Sequence, residues 1–222
     1  MNVCIIGDGL TSLSLAKNLV NQKIVVHIYH KTKKNKSFSN RTIGISRDNL
    51  EFFQNKILKI NKKLLWKIDK IEIFSEKIKN DRILNFEKNK NNLFTMINNN
   101  KLYDVLNKNL LKNGLFKKIS IKDDHFYKKI LKEKKYDLII NCESKNYFEK
   151  HFFYKKIVKD YKNLAYTTIF QHSSIKNNTA TQIFTKYGPI AFLPLSKKKT
   201  SIVYSVNLIK SNLSQLNIIN LI

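Results

Sequence analysis

Apolar and polar positions alternate along the chain in a way that names its first elements before any composition is considered. Val3-Cys4-Ile5-Ile6 is a continuous apolar run, followed by Gly7-Asp8-Gly9-Leu10-Thr11-Ser12. Leu10, Leu13, Ala16 or Lys17, and Val20 then recur at three-to-four spacing, which predicts a helix. Ile24-Val25-Val26-His27-Ile28-Tyr29 is a second apolar run. Strand, glycine turn, helix and strand within about 30 residues make a βαβ unit, which enters a parallel sheet. The polar stretch from His30 to Asn40 predicts a loop.

Beyond it, Asp48 to Trp66 carries helical periodicity through Leu50, Phe53, Ile57 and Leu64-Leu65. Lys70 to Phe74 and Ile83 to Phe86 predict short strands, and Lys101 to Asn113 a second clear helix. Tyr136 to Cys142 predicts a buried strand. After about residue 160 the pattern turns to strands: Ala165 to Phe170, Thr181 to Thr185, Ile190 to Pro194 and Ser201 to Val206, with Lys197-Lys198-Lys199 as the last turn. No repeat of 20–50 residues appears.

At 222 residues the chain is long enough for one domain or two small ones, and it buries a core without metal or disulfide staples. Cys4 and Cys142 alone make neither a disulfide framework nor a structural zinc site. No apolar run approaches the ~18 residues of a membrane-spanning helix. The first residues lack the basic region and cleavage site of a secretory signal. A cytoplasmic protein, with peripheral contact at the inner membrane face left open, is the expectation.

The formal charge of +26 invites a polyanion as partner. Its origin argues otherwise. The basic residues are 39 Lys and only three Arg, alongside 29 Ile and 28 Asn, the residues of A/T-rich codons. Arg, which makes the bidentate phosphate and guanine contacts, is the residue in short supply. Nucleic acid is therefore not the expected partner. The five histidines, His27, His30, His125, His151 and His172, show no metal-ligand spacing.

Gly7-x-Gly9-x-x-Ser12, directly after a strand and opening a helix, is the strongest chemical signal. The first glycine permits the tight turn, the second lets a pyrophosphate approach, and the third position needs a small residue, here Ser12. Leu10, Thr11 and Ser12 then present helix N-terminal N–H groups to the phosphates. A glycine turn that binds nothing is the competing reading. The acid that should bind a ribose hydroxyl at the end of the second strand is replaced by His30. That histidine either donates or accepts toward the ribose, or is only a partly exposed strand-end residue.

These segments resemble a family. Val3 to His30, Arg41-Thr42-Ile43-Gly44-Ile45-Ser46 and Gly188-Pro189-Ile190-Ala191-Phe192-Leu193-Pro194-Leu195 look like the ubiquinone-biosynthesis aromatic-ring hydroxylases, flavin monooxygenases similar to para-hydroxybenzoate hydroxylase. The resemblance implies an α/β fold: a Rossmann-like FAD-binding domain with a parallel sheet over 1–69 and 98–159, and an incomplete β-rich substrate domain over 70–97 and 160–222. It implies FAD, with NAD(P)H as reductant, and hydroxylation of an aromatic ring on a polyprenylated phenol or quinol precursor.

Carried over by resemblance, Gly7, Gly9 and Ser12 form the FAD pyrophosphate turn, and Arg41 lies near the flavin unless it is only a solvated loop cation. Asn100 stands where the family has an Arg or Gln touching FAD. Glu143 stands for an Asp of the family, Ser144 for the following Gly, and Lys150 for a later Arg. Gly188, Pro189, Leu193 and Pro194 are the substrate-side strand candidates, with no catalytic residue named. The family's β-meander should fall between Ile119 and Tyr136, where the chain is short. The family's second FAD segment and its C-terminal helices are absent, so the chain reads as truncated.

Two other readings remain. One is a non-catalytic relative, or a subunit completed by a partner chain or a second copy, to which the apolar tail from Asn207 to Ile222 points. The other is a basic module on nucleic acid or a membrane surface.

Overall fold

The computed structural model describes residues 1–31, 41–76, 82–87, 92–121, 123, 125–155 and 157–207. The chain opens with β1 (Asn2–Ile6), α1 (Leu10–Asn21) and β2 (Val25–Lys31), then β3 (Thr42–Ser46), α2 (Arg47–Phe52) and a π-helical turn (Phe53–Ile57). A 3₁₀ turn (Lys62–Leu64) precedes β4 (Trp66–Ile68), β5 (Lys70–Ser75), β6 (Arg82–Glu87) and β7 (Phe94–Asn98). Then come α3 (Asn99–Leu111), β8 (Phe116–Ile121), α4 (His125–Lys132), β9 (Leu138–Asn141) and α5 (Tyr147–Phe152). Four long strands follow: β10 (Asn163–Gln171), β11 (Thr179–Thr185), β12 (Gly188–Ser196) and β13 (Lys199–Asn207).

Two compact units are built from interleaved segments: Met1–Phe38, Glu51–Ile60 and Asn100–Val158 in the first, and Ser39–Leu50, Asn61–Asn99 and Lys159–Ile222 in the second.

The first unit holds a parallel sheet in the order β8-β2-β1-β9. Successive side chains on β1 point to opposite faces, and both faces are dry. Cys4 and Ile6 join Tyr29, Ile121, Tyr127, Ile130 and Phe148 in a core that draws on α4 and α5. Val3 and Ile5, on the other face, are completely buried, as are Leu13 and Ala16 of α1 and Leu106 and Leu110 of α3. Burial on both faces is why the first two strands read as unbroken apolar runs.

The second unit has a six-stranded sheet, β10-β13-β12-β11-β5-β6, antiparallel except where β11 runs parallel to β5. A three-stranded antiparallel sheet, β3-β7-β4, packs on it through Ile68, Met96, Trp66 and Phe94 against Ala180, Ile71, Leu193 and Leu195. Ile190 and Phe192, of the opposite parity on β12, pack with Ile202, Tyr204 and Val206.

An α/β architecture with a parallel sheet and a separate β-rich part is thus what the chain forms. Three local expectations are corrected. The helix expected over 48–66 stops early: α2 and its π-helical turn end at Ile57, and Leu58 is extended at φ −160°. Asn61 then accepts a hydrogen bond from Lys63 N and closes the 3₁₀ turn, so Leu64 belongs to that turn and Trp66 opens a strand. Asn favours such local side-chain turns over helix interiors.

Between Ile119 and Tyr136 the chain places the end of β8 and then α4 in place of a β-meander. The strand expected to be buried over 136–142 is β9, an edge strand, and its Leu138 is 44% exposed. The tail from residue 208 and the loop over 32–40 lie outside the described residues.

Candidate nucleotide site at the glycine turn

Gly7 and Gly9 differ in what the fold asks of them. Gly7 has φ +101°, and a Cβ there would lie 3.1 Å from the Glu143 Cβ. Its N–H donates to Tyr29 O at 2.8 Å, and Cys142 N donates to Ile6 O at 2.9 Å, so the turn is clamped between β2 and the end of β9. Gly9, at φ −72° and ψ 177°, is in extended backbone open to any residue, and a Cβ on it would meet nothing within 4 Å. Neither its own conformation nor a protein neighbour demands a glycine there.

Gly9 is also the N-cap of α1, with no side-chain cap and no acidic residue in the first turn. The N–H groups of Leu10, Thr11 and Ser12 precede the first helical bond, Leu13 N to Gly9 O at 3.0 Å. They are left to an outside acceptor, and the positive end of the helix dipole favours an anion. Ser12 is 1% exposed, and its Oγ has no hydrogen-bond partner among the described residues.

Asp8, between the two glycines, organises a cluster that the motif alone does not announce. Its Oδ2 lies 3.1 Å from Lys118 Nζ and 3.6 Å from His30 Nδ1, and accepts from Tyr103 OH at 3.1 Å. Lys118 also donates to Tyr103 OH at 2.7 Å and to Asn107 Oδ1 at 3.3 Å. Tyr103 and Asn107 stand one turn apart on α3 and so face the same lysine. Lys118 is on the same sheet row as Ile28 and Ile5, which directs it to the α3 side.

Burial pushes the Asp8 carboxyl up, but the hydrogen bond and charge of Lys118, with His30 and Tyr103, outweigh it and hold the group below the ordinary aspartate range. Burial pulls Lys118 down, and its bonds to Tyr103 and Asp8 more than offset this, so it stays charged. The signal available in sequence was a lone carboxylate inside a glycine turn and a lysine on a parallel strand. Neither is informative until α3 is placed.

Glu143 adjoins the turn at the end of β9, where Asn141, Cys142, Glu143, Ser144, Glu149 and Phe153 line an open hollow of about 400 Å³. Asn146 caps α5 by accepting from Glu149 N at 3.0 Å and braces the loop by donating to Asn141 Oδ1 at 2.7 Å and Glu143 O at 3.1 Å. Glu143 Oε2 is buried without a partner among the described residues. Lys150 is an exposed residue of α5. Cys4 is sealed in the core, and burial pushes its thiol up to about 12, so it is no nucleophile.

Gly7, Gly9, Leu10, Thr11, Ser12, His30, Glu143 and Asn100, the second residue of α3, all belong to the first unit. Arg41, exposed, with its carbonyl accepting from Asn99 N at 3.0 Å, belongs to the second. So do Gly188, Pro189, Leu193 and Pro194. Gly188 has φ +143°, and a Cβ on it would fall 2.0 Å from Ser205 O, so this glycine is required by the β12–β13 pairing. Pro194 sits where the register with β13 shifts, a place that tolerates a missing N–H.

No family model matches the chain, and no curated protein matches it in sequence. Solved structures do match in shape. PqsL from Pseudomonas aeruginosa, a probable FAD-dependent monooxygenase, is similar with a TM-score of 0.70 at 10% identity, over 93% of this chain and 60% of that one. At this identity the likeness shows a shared fold.

A variant of HpxO from Klebsiella pneumoniae, complexed with FAD, gives a TM-score of 0.68 at 10% identity, over 97% of this chain and 59% of that one. A geranylgeranyl bacteriochlorophyll reductase-like protein from Thermoplasma acidophilum gives 0.67 at 11% identity, over 99% and 59%. The chain spans about three fifths of the length of these structures. No helix among the described residues is long and apolar enough to cross a membrane, which says nothing of a β-barrel.

Proposed function

We propose that this chain binds FAD at the Gly7–Ser12 turn and carries the nucleotide-binding part, and some of the substrate sheet, of a monooxygenase acting on an aromatic ring. The observation that carries the reading is Gly9. A glycine opening a helix after a strand, where the backbone is ordinary and a side chain would enter empty space, is best explained by a ligand that needs that space.

The residues present fit a dinucleotide. The N–H groups of Leu10, Thr11 and Ser12 would take the pyrophosphate, and Ser12 Oγ and Glu143 Oε2 are buried polar atoms beside the turn that lack partners among the described residues. Bound FAD would supply the redox chemistry and the activation of O₂, neither of which the side chains can provide. The protein's part is to hold and orient the cofactor and to exclude water.

Arg41 and Asn100 as flavin contacts, NAD(P)H as reductant, and a polyprenylated phenol as substrate are the finer parts of the proposal and rest on the sequence resemblance. A prenylated substrate would bring the chain to a membrane face. A second reading is a binding subunit that turns over only with a partner chain.

The visible spectrum of the purified chain after FAD addition and desalting tests the reading. Retained flavin in the wild type, lost in Gly9→Val with unchanged circular dichroism, is the expected result. A folded wild type that retains no flavin overturns it. Flavin retained without NAD(P)H oxidation would select the subunit reading.

A further inference from the structure

We infer that Asp8 supplies the carboxylate that receives the adenosine ribose of the bound dinucleotide, a role that the end of β2 leaves unfilled at His30. The inference rests on the dinucleotide reading above and adds to it a residue and a ligand preference.

In nucleotide-binding βαβ units the acceptor for the ribose 2′-hydroxyl is an acid about 20 residues beyond the glycine turn, at the end of the second strand. Here the penultimate residue of β2 is His30, and its Nδ1 lies 3.6 Å from Asp8 Oδ2. A carboxylate therefore stands at the strand end after all, delivered from the glycine turn.

Its aim is fixed. Lys118 and Tyr103 both bind Oδ2, at 3.1 Å each, and hold the carboxylate from the α3 side. Oδ1 takes part in none of these contacts, and the side chain keeps 26% of its surface exposed. Asp8 is ionised at neutral pH, so it is an acceptor only. An acceptor of that kind favours a free hydroxyl and repels a 2′-phosphate, which gives the site a preference for an unphosphorylated ribose.

The competing account is that Asp8 only neutralises Lys118. The two accounts separate when the hydroxyl is removed from the ligand in place of the acid from the protein. ADP and 2′-deoxy-ADP are titrated calorimetrically into the wild type, Asp8→Asn and Tyr103→Phe. A hydrogen bond to a charged acceptor is worth on the order of tenfold in affinity. The wild type and Tyr103→Phe, which keeps the carboxylate, should prefer ADP by about that factor, and Asp8→Asn, which keeps only a neutral acceptor, should prefer it clearly less.

A wild-type ratio near one overturns the inference whether or not the Asp8 variant folds. A preference undiminished in Asp8→Asn also overturns it and assigns the hydroxyl to another group. Failure of the folded wild type to bind either ADP or FAD removes the dinucleotide reading itself.

Discussion

Three glycines carry two different arguments. Gly7 and Gly188 are demanded by the fold: each has a positive φ, and a Cβ would press on Glu143 or fall on the Ser205 carbonyl. Gly7→Ala is expected to cost about 1–3 kcal/mol, and Gly188→Ala more, because a backbone oxygen cannot swing aside as a side chain can. Chemical denaturation of both variants measures this, and a Gly188→Ala midpoint equal to wild type would mean that β13 moves freely. Gly9→Ala should leave the midpoint unchanged, since the new methyl meets nothing within 4 Å among the described residues.

Asp8 adds a pH signature at the same scale. Its folded carboxyl titrates below the ordinary 3.8, so its contribution is fully present above that value and is lost as pH falls through the lower folded value. Asp8→Asn should therefore flatten the acid limb of stability below about pH 4, leaving the slope near neutrality unchanged. The motif made Gly7 and Gly9 legible from the start. It was silent on Asp8, because the carboxylate's partners lie about 95 and 110 residues away, on α3 and β8.

Elements were readable to the extent that one face, or both, was buried. Both faces of β1 and β2 are covered, and they stood out as apolar runs. The edge strand β9 has only half that covering and was read as more buried than it is. It is tied in by a polar link: Tyr136 OH lies 2.8 Å from His27 Nδ1 and 2.5 Å from Tyr29 OH, joining the approach to β9 to the second strand.

Tyr136→Phe leaves both partners short of a bond and should destabilise the first unit by about 1–2 kcal/mol. Burial, then the charges of Lys135 and Lys117, hold His27 below its ordinary 6.5, so the folded state resists protonating it. Stability from this site is present above pH ~6.5 and declines as pH falls below it. A His27→Gln variant whose thermal midpoint loses as much as wild type between pH 7 and pH 5 would contradict that. The stretch over 53–66 misled the periodicity because the apolar residues of a π-helical turn, a 3₁₀ turn and a strand, read one after another in sequence, fall at helical spacing without being one helix.

At the scale of the whole molecule the dominant property is the charge of +26. Like charges at this density repel one another in the compact state more than in the expanded one, and salt screens the repulsion. The melting temperature should rise by several degrees between about 20 mM and about 300 mM NaCl, as calorimetry would show. A fall would mean that local pairs such as Lys118–Asp8 outweigh the global repulsion. The division into two units from interleaved segments is likewise a property of the whole: Arg41 and Asn100, which resemblance assigns to one cofactor, belong to different units.

What the chain's own residues determined was local. An apolar run, two glycines and a three-to-four repeat specify β1, the turn and α1, because strand burial, positive φ and helix periodicity are each written within a few positions. The β-rich second half was legible for the same reason, strand by strand. Tertiary structure alone decided which strands pair, including the parallel contact of β11 with β5, and which glycine serves the backbone and which leaves room for a ligand. It also decided that a carboxylate inside the turn stands beside the end of β2. Those are facts about distance between residues remote in sequence, and distance is settled only when the sheet has closed around them.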